Sequence, residues 1–174
     1  TDKTGTLTKN EMTIVAASTA DHLLELTGTG YDPAGSVKTS DKRALTPTDE
    51  MLFTIGVLCN NATLHKKSEY TTITGDPTEA ALLVSAVKAG FDDEKLHGLW
   101  TRINEVPFDA DRKMMSTINT NQKTAKTSVF TKGAPERVLH CCNRIMLNGR
   151  VRPLNSKDRT RILQQNEAYA KRAL

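Results

Sequence analysis

The chain has 174 residues, of which 37% are hydrophobic and 25% charged, with a net charge of +4. That length suits one domain with its own core, or one domain with part of a neighbour. The mild, dispersed charge and the few aromatics (three Tyr, four Phe, one Trp) argue against nucleic acid as a partner. No apolar run approaches the ~20 residues of a membrane span, and no secretory signal is visible.

In chain order, TDKTGTLTKNEM over 1–12 is polar and rich in hydroxyls. MTIVAAS over 12–18 predicts a short strand. HLLELTGTGYDPAGSV over 22–37 predicts a strand followed by a glycine-rich turn. A helix begins after Thr46, with Pro47 at its first position and Asp49 and Glu50 in its first turn. Met51, Leu52, Ile55, Leu58 and Cys59 recur at helical spacing along it, and Asn60 and Asn61 mark its end. KKSEYTTIT over 66–74 reads as a loop. A second helix starts with Asp76 as N-cap, Pro77 next, and Glu79 where a capping box would place it. Ala80, Leu83, Val84 and Val87 form its apolar face, and Gly90 ends it.

From Trp100 the period changes, and TRINEVPF, MMSTINT and TSVFTK predict three strands. A short helix is expected over 134–142. Asn148-Gly149 between two apolar runs is a strong hairpin signal, and a last helix follows from Ser156 to the end. Cys59, Cys141 and Cys142 form neither a disulfide framework nor a zinc motif, even with His140 adjacent, so buried reduced thiols are expected. The expected fold is a single α+β domain: an antiparallel sheet of about six strands flanked by helices. The chain reads as cut from a longer protein at both ends.

The opening stretch carries chemistry. A phosphorylatable aspartate needs a carboxylate in line with the phosphoryl donor, a magnesium ion, and nearby cations and donors. Asp2 offers the nucleophile, Lys3 a cation, Thr4 a hydroxyl, and Gly5 a tight turn. DKTGTLT over 2–8 resembles the phosphorylation signature of the P-type ATPases, ion pumps that form an aspartyl-phosphate. Four further segments resemble the same family, in the family's order: GTGYDPAG over 28–35, GDPTEAALL over 75–83, PFDADRKMMS over 107–116 and TKGAPERVL over 131–139.

The resemblance implies that residues 1–8 are a remnant of the phosphorylation domain and 9–174 the nucleotide-binding domain. It implies ATP and Mg2+ as cofactors, with Asp2, Lys3 and Thr4 catalytic, and Asp2 and Thr4 holding magnesium in the intact pump. Adenine would stack on Phe108 and its amino group would meet Glu79. Lys113 would meet phosphates or the purine edge. Lys132 would line the deep end of the pocket, beside Gly133. Four of them also have an ordinary reading: Phe108 as core, Lys113 as a solvated lysine, Lys132 as a turn lysine, Glu79 as half of a capping box.

In one departure, the arginine that muscle-type calcium pumps place two residues after the stacking phenylalanine is Ala110 here. Arg112 or Lys113 would have to supply that phosphate contact, or the grip is weaker. The wording leans toward the calcium-pump-like branch. The implied partners are the phosphorylation, actuator and transmembrane domains of the same pump, with this domain in the cytoplasm and off the membrane. Alone it should bind nucleotide without turnover. Two alternatives are a soluble phosphatase of the haloacid-dehalogenase type, whose second aspartate would fall at Thr4, and a silent interaction module.

Overall fold

The computed structural model describes residues 11–66 and 71–172. The chain runs β1 (Ala16–Ser18), β2 (Leu23–Leu26), β3 (Val37–Thr39), α1 (Pro47–Leu58), β4 (Thr63–Lys66), β5 (Thr71–Thr74), α2 (Pro77–Lys88) and α3 (Asp93–Leu99). It continues through β6 (Trp100–Asp109), β7 (Met114–Asn121), β8 (Thr127–Gly133), α4 (Pro135–Cys141), β9 (Arg144–Leu147), β10 (Arg150–Pro153) and α5 (Ser156–Lys171). The expected α+β class is observed.

Among the described residues the strands form separate antiparallel sheets: β1–β2–β3, β4–β5, β6–β7–β8 and β9–β10. This corrects the expectation of one sheet of about six strands. Every strand pairs with its neighbour in sequence, and most are only three or four residues long. Such short strands offer few backbone groups for joining one small sheet to another, edge to edge. The loop expected over 66–74 is also corrected, because β4 and β5 form a hairpin in which Leu64 pairs with Ile73. Both of these side chains belong to the core, while the β-branched threonines suit a pleated strand despite their polarity. The short helix α3 has no counterpart in the sequence reading.

The core is built where α1 packs against the β6–β7–β8 sheet at β8 and α2 packs against α1. Leu24, Phe53, Val57, Leu58, Leu83, Val84, Met115 and Phe130 are buried together. Each fully buried side chain of this size contributes about 1.5–3 kcal/mol. Trp100 and Phe130 meet edge to face with ring centroids 5.2 Å apart. Of the expected apolar stripe of α1, Leu58 and Cys59 lie in the core and Met51 and Ile55 pack against it, and only Leu52 departs. Phe53 and Val57 join the core, whereas Leu52 is exposed and lines a cleft of about 570 Å³ with Met51, Ile55, Ile145, Met146 and Ile162. Cys59 is buried as expected, but Cys141 is exposed.

Buried polar groups fix the helix starts. Asp49 is fully buried and forms a capping box with Thr46. Its carboxylate also accepts from Thr19 Oγ1 at 2.6 Å and lies 2.6 Å from His22 Nδ1. At α5 a second capping box joins Asn155 and Asp158. Arg152 grips Asp158 with two nitrogens at 2.7 and 2.8 Å, and this pulls the Asp158 carboxyl down to about 2. The β9–β10 hairpin turns at Asn148 (φ 44°) and Gly149 (φ 73°), the two positive angles that a two-residue hairpin requires.

Candidate functional site

Glu79 at the start of α2, Asn61 after α1 and Lys132 on β8 meet beside the β6–β7–β8 sheet. Asp76 caps α2 by accepting from the amides of Thr78 (2.8 Å) and Glu79 (3.4 Å). This leaves Glu79 in the first turn. Its carboxylate points across the sheet rather than back to its own cap. Oε1 lies 2.6 Å from Lys132 Nζ on β8, and Oε2 accepts from the Asn61 amide at 3.2 Å. Half of the capping box is therefore formed, and the glutamate side chain serves a tertiary contact. Both members of the ion pair retain some contact with solvent, 25% for Lys132 and 15% for Glu79.

Phe108 is 64% exposed, so the core reading of this ring does not hold. Backbone pairing decides which way it faces. On β7, Met115, Thr117 and Asn119 are buried, and directly paired residues share a face. Lys132 pairs with Met115, so it lies on the helix-covered face. Val106 pairs with Ser116 and Asp109 with Met114, so β6 carries one extra residue between them. Without that bulge Phe108 would pair with Met114 on the opposite face. With it, Phe108 is turned to the side of Met115 and Lys132.

An earlier bulge, between Arg102 and Asn104, does the same for Arg102 and Glu105. These two residues are three apart, yet they lie on one side and form an ion pair of 3.2 Å. Arg102 also donates to the carbonyls of Leu58 (2.9 Å) and Asn60 and to Asn61 Oδ1 (2.6 Å). Asn61 Nδ2 donates to Glu105 at 3.0 Å. Nothing in the sequence pattern singled out Arg102, Asn61 or Glu105; the signal would have been polar residues at a three-residue spacing inside a strand.

Lys113 is exposed, with φ 56° in the β6–β7 turn. Its amide donates to Asp109 O at 2.7 Å and its carbonyl accepts from Ala134 at 2.9 Å, so the turn is tied to the start of α4. Gly133 has a packing reason: a Cβ there would sit 2.3 Å from the Lys113 carbonyl oxygen and 2.6 Å from Met114 Cγ. The close approach it permits is that of the adjacent strand. Cys59 lies behind the site, its Sγ 3.6 Å from the Met115 carbonyl, and burial pushes its thiol up. Asp2, Lys3 and Thr4 lie outside the described residues. Among the described residues no group of three or more His, Cys, Asp or Glu could hold a metal ion, so a magnesium site is not found there. The cleft beside α1 contains none of the expected site residues.

Residues 49–174 match the family model for the P-type ATPase cytoplasmic domain N. The chain belongs to the P-type ATPase family. This N domain is 39% identical over 152 residues to a calcium-transporting ATPase of Bacillus subtilis, covering 85% of the chain and 17% of the relative. It is 37% identical to calcium-transporting ATPase 1 of Lactococcus lactis, covering the whole chain and 18% of that protein. A cation-transporting ATPase of Synechocystis, pma1, is 34% identical over 84% of the chain. The N domain thus spans less than a fifth of the length of the Bacillus and Lactococcus relatives. No described helix is long and apolar enough to cross a membrane.

Proposed function

We propose that this N domain binds an adenine nucleotide beside the β6–β7–β8 sheet. Adenine stacks on Phe108, its 6-amino group donates to Glu79, and Lys132 closes the deep end, with Lys113 at the phosphate or purine edge. The observation that carries this reading is an aromatic ring, 64% exposed, turned to the same face as the Glu79–Lys132 pair. Among the described residues, Glu79 Oε1 accepts from Lys132 and Oε2 from Asn61. A carboxylate oxygen accepts two, which leaves room for an amino group. Binding should be weak, with a dissociation constant of about 0.1–1 mM, and ADP and AMP should fall within about tenfold of ATP. Titration followed by NMR tests this: shifts should cluster at Glu79, Phe108, Lys113 and Lys132. Their absence at ~10 mM ATP, far above that range, would overturn the assignment.

In the longer protein, the proposed reaction is attack of an Asp2 carboxylate oxygen on the γ-phosphorus of ATP. The bond to the bridging oxygen breaks, ADP leaves with its electron pair, and water later hydrolyses the acyl-phosphate. Lys3 and Thr4 would neutralise and orient the transferring group, and magnesium would offset the phosphate charge. This reading makes the domain a cytoplasmic part of an integral membrane cation pump that works with phosphorylation, actuator and transmembrane domains. The names of its relatives favour calcium as the transported ion. The family match speaks against the soluble-phosphatase alternative, and the silent module is the outcome in which the titration finds no nucleotide binding.

A further inference from the structure

Resting on the nucleotide reading, we infer that Arg102 is a positioning residue for Glu79 and that, together with Asn61 and Glu105, it sets selectivity for adenine. Glu79 is held on one side by Lys132, through a flexible four-carbon stem, and on the other by a backbone amide, that of Asn61. That amide is a backbone reference for the carboxylate. Asn61 lies just past the end of α1, where the last carbonyls of a helix lack intrahelical partners. Arg102 satisfies two carbonyls of this stretch, Leu58 O and Asn60 O, while its other terminal nitrogen holds Asn61 Oδ1. Glu105 closes the ring by accepting from Asn61 Nδ2 and pairing with Arg102. Asn60 adds a further tie, because its Nδ2 donates to the Glu79 carbonyl at 2.9 Å.

A planar guanidinium with a fixed fork suits this task, and a lysine would not reproduce it. Selectivity follows from the donor pattern of the base. The 6-amino group of adenine donates to a carboxylate, whereas the 6-oxo group of hypoxanthine is an acceptor and repels it. Discrimination of this kind depends on the acceptor being held in place, because a mobile carboxylate can swing away from the wrong base.

The test is the ratio of ITP to ATP dissociation constants, measured by NMR titration on the 174-residue chain with melting temperature as a control. The unsubstituted chain should prefer ATP by about tenfold or more. Arg102→Ala should bring the ratio close to one with ITP affinity unchanged. Glu105→Gln, a milder change, should lower the ratio by roughly threefold and keep the fold. A merely structural loosening would weaken both nucleotides together, so a preserved ratio, or a parallel loss of ATP and ITP, overturns the inference. Glu79→Gln separates the two levels of argument. If it abolishes the preference while Arg102→Ala and Glu105→Gln do not, only the positioning role fails. If it leaves the preference intact, or if the unsubstituted chain binds neither nucleotide, the nucleotide reading fails as well.

Discussion

Phe108 gives a direct separation of binding from stability. Its ring is largely in solvent, so Phe108→Ala should leave the melting temperature nearly unchanged. If the ring stacks on adenine, the same change should cost about 1–3 kcal/mol of nucleotide binding. Calorimetric melting and NMR titration of one variant check both statements, and a badly destabilised protein would contradict the exposed placement. His22 provides a pH test. The hydrogen bond to Asp49 raises the imidazolium above its ordinary value of 6.5, despite burial. Its contribution to stability is therefore complete below pH 6.5 and lost as pH rises through the folded value. Burial works to raise Asp49, but bonds from Thr19, Thr46 and His22 hold it below 3.8. Its contribution is complete above that value and lost as pH falls through the folded one. Melting temperature should accordingly decline as pH rises from about 6 to 9. His22→Gln should remove that alkaline slope and cost about 3 kcal/mol near pH 6, by leaving Asp49 buried without its cation. An unchanged slope would assign the titration to another group.

At the scale of elements, β7 and β8 meet across Gly133 with no room for a methyl group. Gly133→Ala should cost about 1–3 kcal/mol of stability, as overpacking does, and chemical denaturation would measure it. A neutral substitution would mean that the strand pair yields at that point. The helices show what a sequence can reveal. α1, α2 and the β9–β10 hairpin begin or turn where Thr46-Pro47, Asp76-Pro77 and Asn148-Gly149 place them, because caps and positive-φ turns are chemistry of adjacent residues. The same local logic failed for β4 and β5, where hydroxyl-rich polarity hid the β-branched run Thr71–Thr74. For α1 it found Leu58 and Cys59 but missed Phe53 and Val57, because apolar residues on two sides of that helix serve two different surfaces. The residues proposed for the site, Glu79, Phe108, Lys113 and Lys132, were named through family resemblance. Their backing by Arg102 and Asn61 was not, because bulges and helix-end contacts depend on segments about forty residues apart in sequence.

For the molecule as a whole, positioning decides what it can do. Phosphoryl transfer requires alignment and charge neutralisation together. Among the described residues there is no acidic cluster able to hold a metal ion. Incubation of this chain with radiolabelled ATP and magnesium, followed by acid quench, should leave no label. A hydroxylamine-sensitive label would show that residues 1–8 complete a site within this chain. In the proposed intact pump, Asp2→Asn should abolish phosphoenzyme and transport while nucleotide binding persists, and a phosphoenzyme assay beside a binding assay would check this.

The two irregularities of β6 carry a consequence for how this strand tolerates change. Arg102, Glu105 and Phe108 share a side because of the number of residues between them, not because of what those residues are. Substitutions at Ile103 or Pro107 can therefore be absorbed, whereas loss of Pro107 would rotate Phe108 to the far side with every side chain of the site still present. A genealogy of such domains should show the residues between Arg102, Glu105 and Phe108 varying freely in letters and scarcely at all in number.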